Sequence, residues 1–170
     1  MTIRIIGAIL IIAGCGGLGF LFSAAYKKDI STLRCFIEAM TIMESELRYR
    51  KTPLPMLCHF ISENQSGVIK FYFQNLQKKL LQQIQPDAAC CAVLALEETQ
   101  HMPKHVQHLI LQLARTLGDF DLDGQLLGIL AVKNDATQIL NRMVADQDQR
   151  IKNYRTFGLC SGAAIVILFI

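Results

Sequence analysis

Three histidines, His101, His105 and His108, stand at i, i+4 and i+7, a spacing that brings imidazoles toward one side of a helix and could begin a metal shell. Pro103 interrupts the first interval and no acid or thiol completes the set, so the expectation is solvated outer-face histidines and no metal. Asp119-Phe120-Asp121-Leu122-Asp123-Gly124 opens like a calcium loop. Its closing position is Leu130, where a bidentate glutamate is needed, and Leu126 and Leu127 return apolar where a ligating loop should continue. Aspartates capping a helix N-terminus explain that run better. Glu44 and Glu46 could be pictured as an acid and base pair, but two residues apart on a helix they point different ways. No GxSxG, GxGxxG or Walker-type phosphate loop occurs. The expectation is a protein that is not an enzyme, has no catalytic residue and carries no cofactor.

Six cysteines, Cys15, Cys35, Cys58, Cys90, Cys91 and Cys160, show neither a CxxC pair nor zinc-ligand spacing. Two of them, Cys15 and Cys160, lie in the apolar ends and the rest in a segment expected to face the reducing cytoplasm, so they read as buried thiols. The alternative is a membrane-anchored metal or redox sensing module built from His101, His105, His108 and the Cys90-Cys91 pair.

The elements that would position such residues hang from two apolar ends. Between Arg4 and Lys27 the run Ile5–Tyr26 holds no group charged at neutral pH, and at about 1.5 Å per residue a helix of that length crosses a hydrocarbon core of roughly 30 Å. Lipid offers backbone amides no partner, so the run should be helical. Arg4 alone precedes it, whereas Lys27, Lys28 and Arg34 follow, which places the middle of the chain in the cytoplasm. Arg150, Lys152 and Arg155 likewise precede a second run, 156–170, with no charge after it. At about 22 Å that run is short, so it must thin the bilayer or borrow length by snorkelling. Ser23-Ala24-Ala25 could serve a signal peptidase, but the apolar stretch exceeds the usual core of about 7–15 residues and the basic cluster is on the wrong side. The small-residue pairs Ala13/Gly17 and Cys15/Gly19 also allow close helix approach. The expected organisation is therefore a transmembrane helix at 1–26, a cytoplasmic helical bundle at 27–155 and a short transmembrane segment at 156–170.

The overall hydrophobic share of 52% against 18% charged residues is tilted by these ends. Charges in the middle are interspersed and the net charge is only +3, which argues against nucleic acid as a partner. Apolar residues there recur at three and four, prolines fall between periodic segments, and no repeat appears. The fold class is all-α, a six-helix bundle. The first helix, 30–50, buries Leu33, Phe36, Ile37, Met40, Met43 and Leu47 and can run on from the span. Thr52 caps a short helix from Pro53 to about Ser62. The third, 67–84, turns Val68, Phe71, Tyr72, Leu76, Leu80 and Ile84 inward. Pro86 opens the fourth, 88–98, with Cys90, Cys91, Val93, Leu94 and Ala95 deeply buried. Pro103 starts the fifth, whose inner face is Val106, Leu109, Ile110, Leu113 and Leu117, and Gly118 stops it. Asp119 or Asp121 caps the sixth, which continues from Leu122 past Ile151 into the final apolar run.

Two signatures in this layout carry a resemblance. Met43-Glu44-Ser45-Glu46-Leu47-Arg48-Tyr49 followed by Thr52-Pro53-Leu54 resembles the LExEIxY..TPL segment of the stage III sporulation protein AB family. Leu117-Gly118-Asp119-Phe120-Asp121 with Gln125 resembles that family's LGxxDxxxQ segment. Met43 and Leu47 depart from the pattern, and Arg50-Lys51 makes the turn more basic. The resemblance implies kinship with F-type inner-membrane platform proteins of type II secretion and type IV pilus systems, which are not enzymes. It implies a place in the channel joining mother cell and forespore, in the mother-cell-derived outer forespore membrane. The implied partners are a secretion-type ATPase, stage III sporulation protein AA, other channel components and a possible homo-oligomer. Carried over residue by residue, Glu44, Glu46, Tyr49, Thr52, Pro53 and Leu54 would form one partner-binding patch, and Leu117, Gly118, Asp121 and Gln125 another. Helix starting and stopping accounts for Thr52-Pro53 and Gly118-Asp121 equally well. Tyr49 and Glu46 have no such duty.

Overall fold

The computed structural model describes residues 2–82, 87–117 and 122–169; the side chains of 2–13 and of scattered further positions, Leu122 and Arg155 among them, lie outside the description. The described residues form α1 (Thr2–Tyr49), α2 (Leu54–Asn64), α3 (Gly67–Leu81), α4 (Ala88–Glu97), α5 (Lys104–Ala114), α6 (Leu122–Ala145) and α7 (Gln147–Phe169), with no strand among them. The all-α expectation holds. Nothing between Lys27 and Ile30 breaks the helix, so α1 joins the apolar run to the first amphipathic one.

Among the described residues no helix is long and apolar enough to cross a membrane. The runs expected to cross, 1–26 and 156–170, fall where many side chains are outside the description. The structure supplies their helices but not the crossing.

Two compact units emerge, Ser31–Asn141 and the pair Met1–Ile30 with Arg142–Ile170. The divisions at 26/27 and 155/156 follow hydropathy, whereas these units follow packing.

In the Ser31–Asn141 unit the core is built from helical stripes at intervals of three and four. Leu33, Phe36, Met40 and Met43 of α1, Leu57 and Ile61 of α2, Tyr72 and Leu76 of α3, Leu109 and Leu113 of α5, and Ile129 and Val132 of α6 are all buried. Burying each large apolar side chain is worth roughly 1.5–3 kcal/mol, so these stripes outweigh the weak propensities of the short α2, α4 and α5. The α5 face, Val106, Leu109, Ile110, Leu113 and Leu117, is buried as expected.

The phase of α3 differs from the sequence reading. Ile69, Tyr72, Phe73 and Leu76 are buried, whereas Phe71 is 60% exposed and Val68 and Leu80 are half-buried. Ile69, Tyr72, Phe73 and Leu76 follow i, i+3, i+4, i+7, a closer match to the helical repeat than a stripe drawn through Phe71. Ile84 lies outside the described residues. In α4, Cys91, Ala92 and Ala95 are buried while Cys90 is exposed and Val93 and Leu94 are half-buried. An apolar run with no polar punctuation could not reveal which face turns inward.

Helix starts also depart in detail. Asp87 caps α4, its carboxylate Oδ1 accepting from the Ala89 N–H at 3.0 Å, and Pro86 lies outside the described residues. Pro53 and Pro103 precede α2 and α5 with φ of −57° and −58°, and no side chain caps either helix. Gly67 opens α3 at φ +60°, a left-handed conformation that glycine adopts without a Cβ penalty. A buried cation, Lys79 of α3, is neutralised by Glu98 just beyond α4, Nζ to Oε1 2.7 Å.

In the terminal unit, the helix expected to run unbroken past Ile151 is interrupted at Asp146, where α6 gives way to α7. Only one residue leaves the helix, because the Asp146 N–H still reaches the Arg142 carbonyl at 3.0 Å and the Arg150 N–H reaches Asp146 at 2.9 Å. Neither proline nor glycine announces the break.

Candidate partner-binding site

The last turns of α1 carry the first predicted patch. Glu44 reaches two cations: Oε1 lies 3.0 Å from Arg48 Nη2 and Oε2 lies 3.0 Å from Lys133 Nζ of α6. Glu46 is 3.3 Å from Arg50 Nη1 through Oε1, and its Oε2 accepts from the Thr52 hydroxyl at 2.8 Å. The two carboxylates are only 17% and 13% exposed and serve separate networks, as their spacing along the helix requires. In each i, i+4 pair the acid is N-terminal to the base, the favourable orientation against the helix dipole. An acid and base pair for catalysis is not assembled here.

Thr52 is therefore not the cap of α2. Its hydroxyl clasps Glu46 across the turn that leaves α1. The turn itself uses Lys51 at φ +52°, the left-handed residue that commonly ends a helix, here without the glycine that would adopt it freely. Pro53 is exposed and Leu54 half-buried beyond it. Tyr49 stands apart from all of these with 78% of its surface exposed, beside the exposed Arg48, Arg50 and Lys51. The carboxylates and Thr52 thus build the turn, and what is presented outward is a phenol ring with cationic neighbours. Such a ring offers a large apolar contact with a polar tip, at the cost of ordering few rotatable bonds.

The second patch follows α5. Leu117 is buried, Gln125 is half-buried on α6, and Gly118 and Asp121 lie outside the described residues. Sequence reasoning missed the residue that positions this connection. A Cβ placed on Gly128 of α6 would fall 2.5 Å from Thr116 Cγ2 and 2.7 Å from Thr116 Cβ. α6 and the turn after α5 approach so closely that only a hydrogen fits between them, and Gln112 Nε2 donates to Asp135 Oδ2 across the same helix pair at 3.0 Å. A lone glycine within Leu126-Leu127-Gly128-Ile129-Leu130 was the available signal.

The metal or redox constellation is not brought together. His101 sits exposed in a turn at φ +63°, ahead of the helix that carries His105 and His108. Cys90 is exposed with Sγ 3.8 Å from Asp87 Oδ2, whereas Cys91 is buried, because neighbours on a helix diverge by about 100°. Among the described residues no three His, Cys, Asp or Glu side chains are grouped to hold a metal ion. Asp119 and Asp121 of the calcium-like run lie outside the described residues. Cys58 is a core thiol, its pKa pushed up to about 12 by burial, and burial also raises Tyr72 above the usual phenol range. Neither ionises at neutral pH.

With this geometry in view, the family described as Stage III sporulation protein AB matches residues 4–170. A solved structure titled "Stage III sporulation protein AB (SpoIIIAB)" superposes with a TM-score of 0.64 at 19% identity, covering 73% of this chain and 96% of that one. That likeness is one of fold. Comparison with curated proteins finds no match.

Proposed function

Because the chain belongs to the stage III sporulation protein AB family, we propose that it is a non-catalytic inner-membrane platform protein of the secretion-like channel between mother cell and forespore. Its two apolar ends anchor it in the mother-cell-derived outer forespore membrane, with the Ser31–Asn141 unit on the cytoplasmic side. There it engages a cytoplasmic secretion-type ATPase, stage III sporulation protein AA, and couples that motor to the remaining channel components.

The observation that carries this reading is the surface at the end of α1. Two carboxylates are spent on internal ion pairs, while Tyr49 is left 78% exposed among cations. That is the composition of a contact surface, an aromatic anchor with a charged rim. The flanking charges support the orientation, since Lys27, Lys28, Arg150 and Lys152 all border the apolar ends on the side of the middle segment.

Co-purification of the full-length protein with the cognate ATPase tests the coupling, run without nucleotide and with ATP or ADP. Retention that falls with Tyr49→Ala supports the reading. Failure to bind in every nucleotide state refutes it. Protease accessibility in intact and opened cells, with a tag after Ile170, checks both anchors together.

A further inference from the structure

The terminal unit exposes apolar surface over more than half the circumference of a helix. Phe20, Leu21 and Phe22 of α1 are 61%, 64% and 60% exposed. Three consecutive positions sweep about 200° of the helix circumference, wider than the stripe one neighbouring helix covers. Phe157 and Ile165 of α7 are exposed as well. Acyl chains are the surroundings that suit such a surface.

Where this surface ends, aromatic and cationic side chains gather. The Phe22 and Tyr154 rings stack with centroids 6.1 Å apart, and the Tyr26 hydroxyl donates to the Met143 carbonyl at 3.0 Å. The Arg150 guanidinium lies 5.6 Å from the centre of the Tyr26 ring. Rings with one apolar and one polar end favour the depth of lipid head groups. Lys27, Arg142, Arg150 and Lys152 are exposed in this unit, with Asp146 and Asp148 among them.

Arg150 and Tyr154 also border an open, shallow cleft of about 430 Å³ along one face of α7 and the residue before it, lined by Asp146, Gln149, Arg150, Asn153, Tyr154 and Phe157. It combines a guanidinium, two amides and a phenol with one exposed apolar ring. Among the described residues the acid lining it is Asp146, 3.5 Å from Arg150 Nη2, and a guanidinium carries five N–H donors, so further donors remain for a second anion.

We propose that this cleft binds the head group of an anionic phospholipid. Arg150 and the amides take the phosphate, Phe157 lies along the first acyl carbons, and Lys152 adds attraction for the net negative charge. A zwitterionic head group brings its own cation to a surface already rich in them and is disfavoured. The proposal rests on the membrane-anchored reading above and adds to it a lipid class and a site.

The test uses the full-length protein in nanodiscs of phosphatidylcholine with phosphatidylglycerol, and native mass spectrometry of the lipids that stay bound. Phosphatidylglycerol is expected above its share of the bulk lipid. Arg150→Gln and Lys152→Gln should each reduce that excess by about fivefold, the weight of one basic side chain near an anionic surface, and Arg150→Lys should retain most of it. Bound lipid that mirrors the bulk overturns the proposal, as does an excess unchanged by both substitutions. Displacement of the lipid by inorganic phosphate also overturns it, by showing a site for a free anion. A protein that enters no disc, with or without phosphatidylglycerol, removes the membrane-anchored reading itself.

Discussion

Replacing Gly128 with alanine gives a result whose sign separates two explanations. In a helix facing solvent or open space, Gly→Ala stabilises by about 1 kcal/mol through backbone entropy and solvation. At Gly128 the new methyl group would stand 2.5 Å from Thr116 Cγ2 and 2.7 Å from Thr116 Cβ, well inside the ~3.5–4.0 Å of relaxed carbon contact. Rotating the threonine removes only the first clash, because Cβ is fixed to the backbone of the turn after α5. The turn or α6 must shift, at an overpacking cost of about 1–3 kcal/mol. The clash to Cβ places the cost at the upper end, so the net loss is about 2 kcal/mol, a fall in Tm of roughly 4–8 °C for a chain of this size. Thermal unfolding of the full-length protein in detergent, followed by far-ultraviolet circular dichroism, reads it. Thr116→Gly deletes both clashing carbons, so adding it to Gly128→Ala should cost less than the two single changes summed, a coupling that a double-mutant cycle measures. A Gly128→Ala protein as stable as the parent, or more so, refutes the close-approach argument.

Lys51→Gly should raise stability by up to ~1 kcal/mol in the same melt, since φ of +52° is strained for lysine and free for glycine. Thr52→Val should lower it by about 1 kcal/mol by leaving a half-buried Glu46 oxygen without its hydroxyl. Tyr49→Ala should leave Tm nearly unchanged, the ring being 78% exposed, while weakening ATPase retention in co-purification. Cys58 predicts a pH effect: its folded pKa is raised from 9.0 to about 12, so the folded state holds a proton that the unfolded chain releases. Its contribution is fully present below 9.0 and is lost as pH rises toward 12, at up to about 1.4 kcal/mol per pH unit. Melts across that window, compared with Cys58→Ala, check it, and Cys90 should take up a thiol reagent at neutral pH while Cys58 does not.

The tip of α1 shows how far the sequence reading reached and where it stopped. The sequence groups Glu44, Glu46, Tyr49 and Thr52, and the structure joins Glu46 to Thr52 directly. Yet local rules assign Thr52 to capping α2, because a threonine before proline at a helix start satisfies them. Its actual partner sits on the preceding helix, and no local rule names that choice. Lys133 as the second cation of Glu44 lies much further along the chain and had no signal at all.

Most helices, their limits to within a few residues and the inward stripes of α5 and, apart from the half-buried Ile37, of α1 are properties of neighbouring residues that periodicity reveals, whereas the break at Asp146 is not. The continuity of α1 followed from the lack of any breaker between Lys27 and Ile30. A tighter reading of the repeat places Phe73 of α3 inward in place of the equally apolar Phe71, whereas tertiary structure alone decided which of Cys90 and Cys91 faces the core. It also decided that Gly128 is there for Thr116. The physical reason is shared: hydropathy states that a side chain prefers to leave water, whereas which one leaves, and what must be small to let it, depends on the shape of a segment distant in the chain.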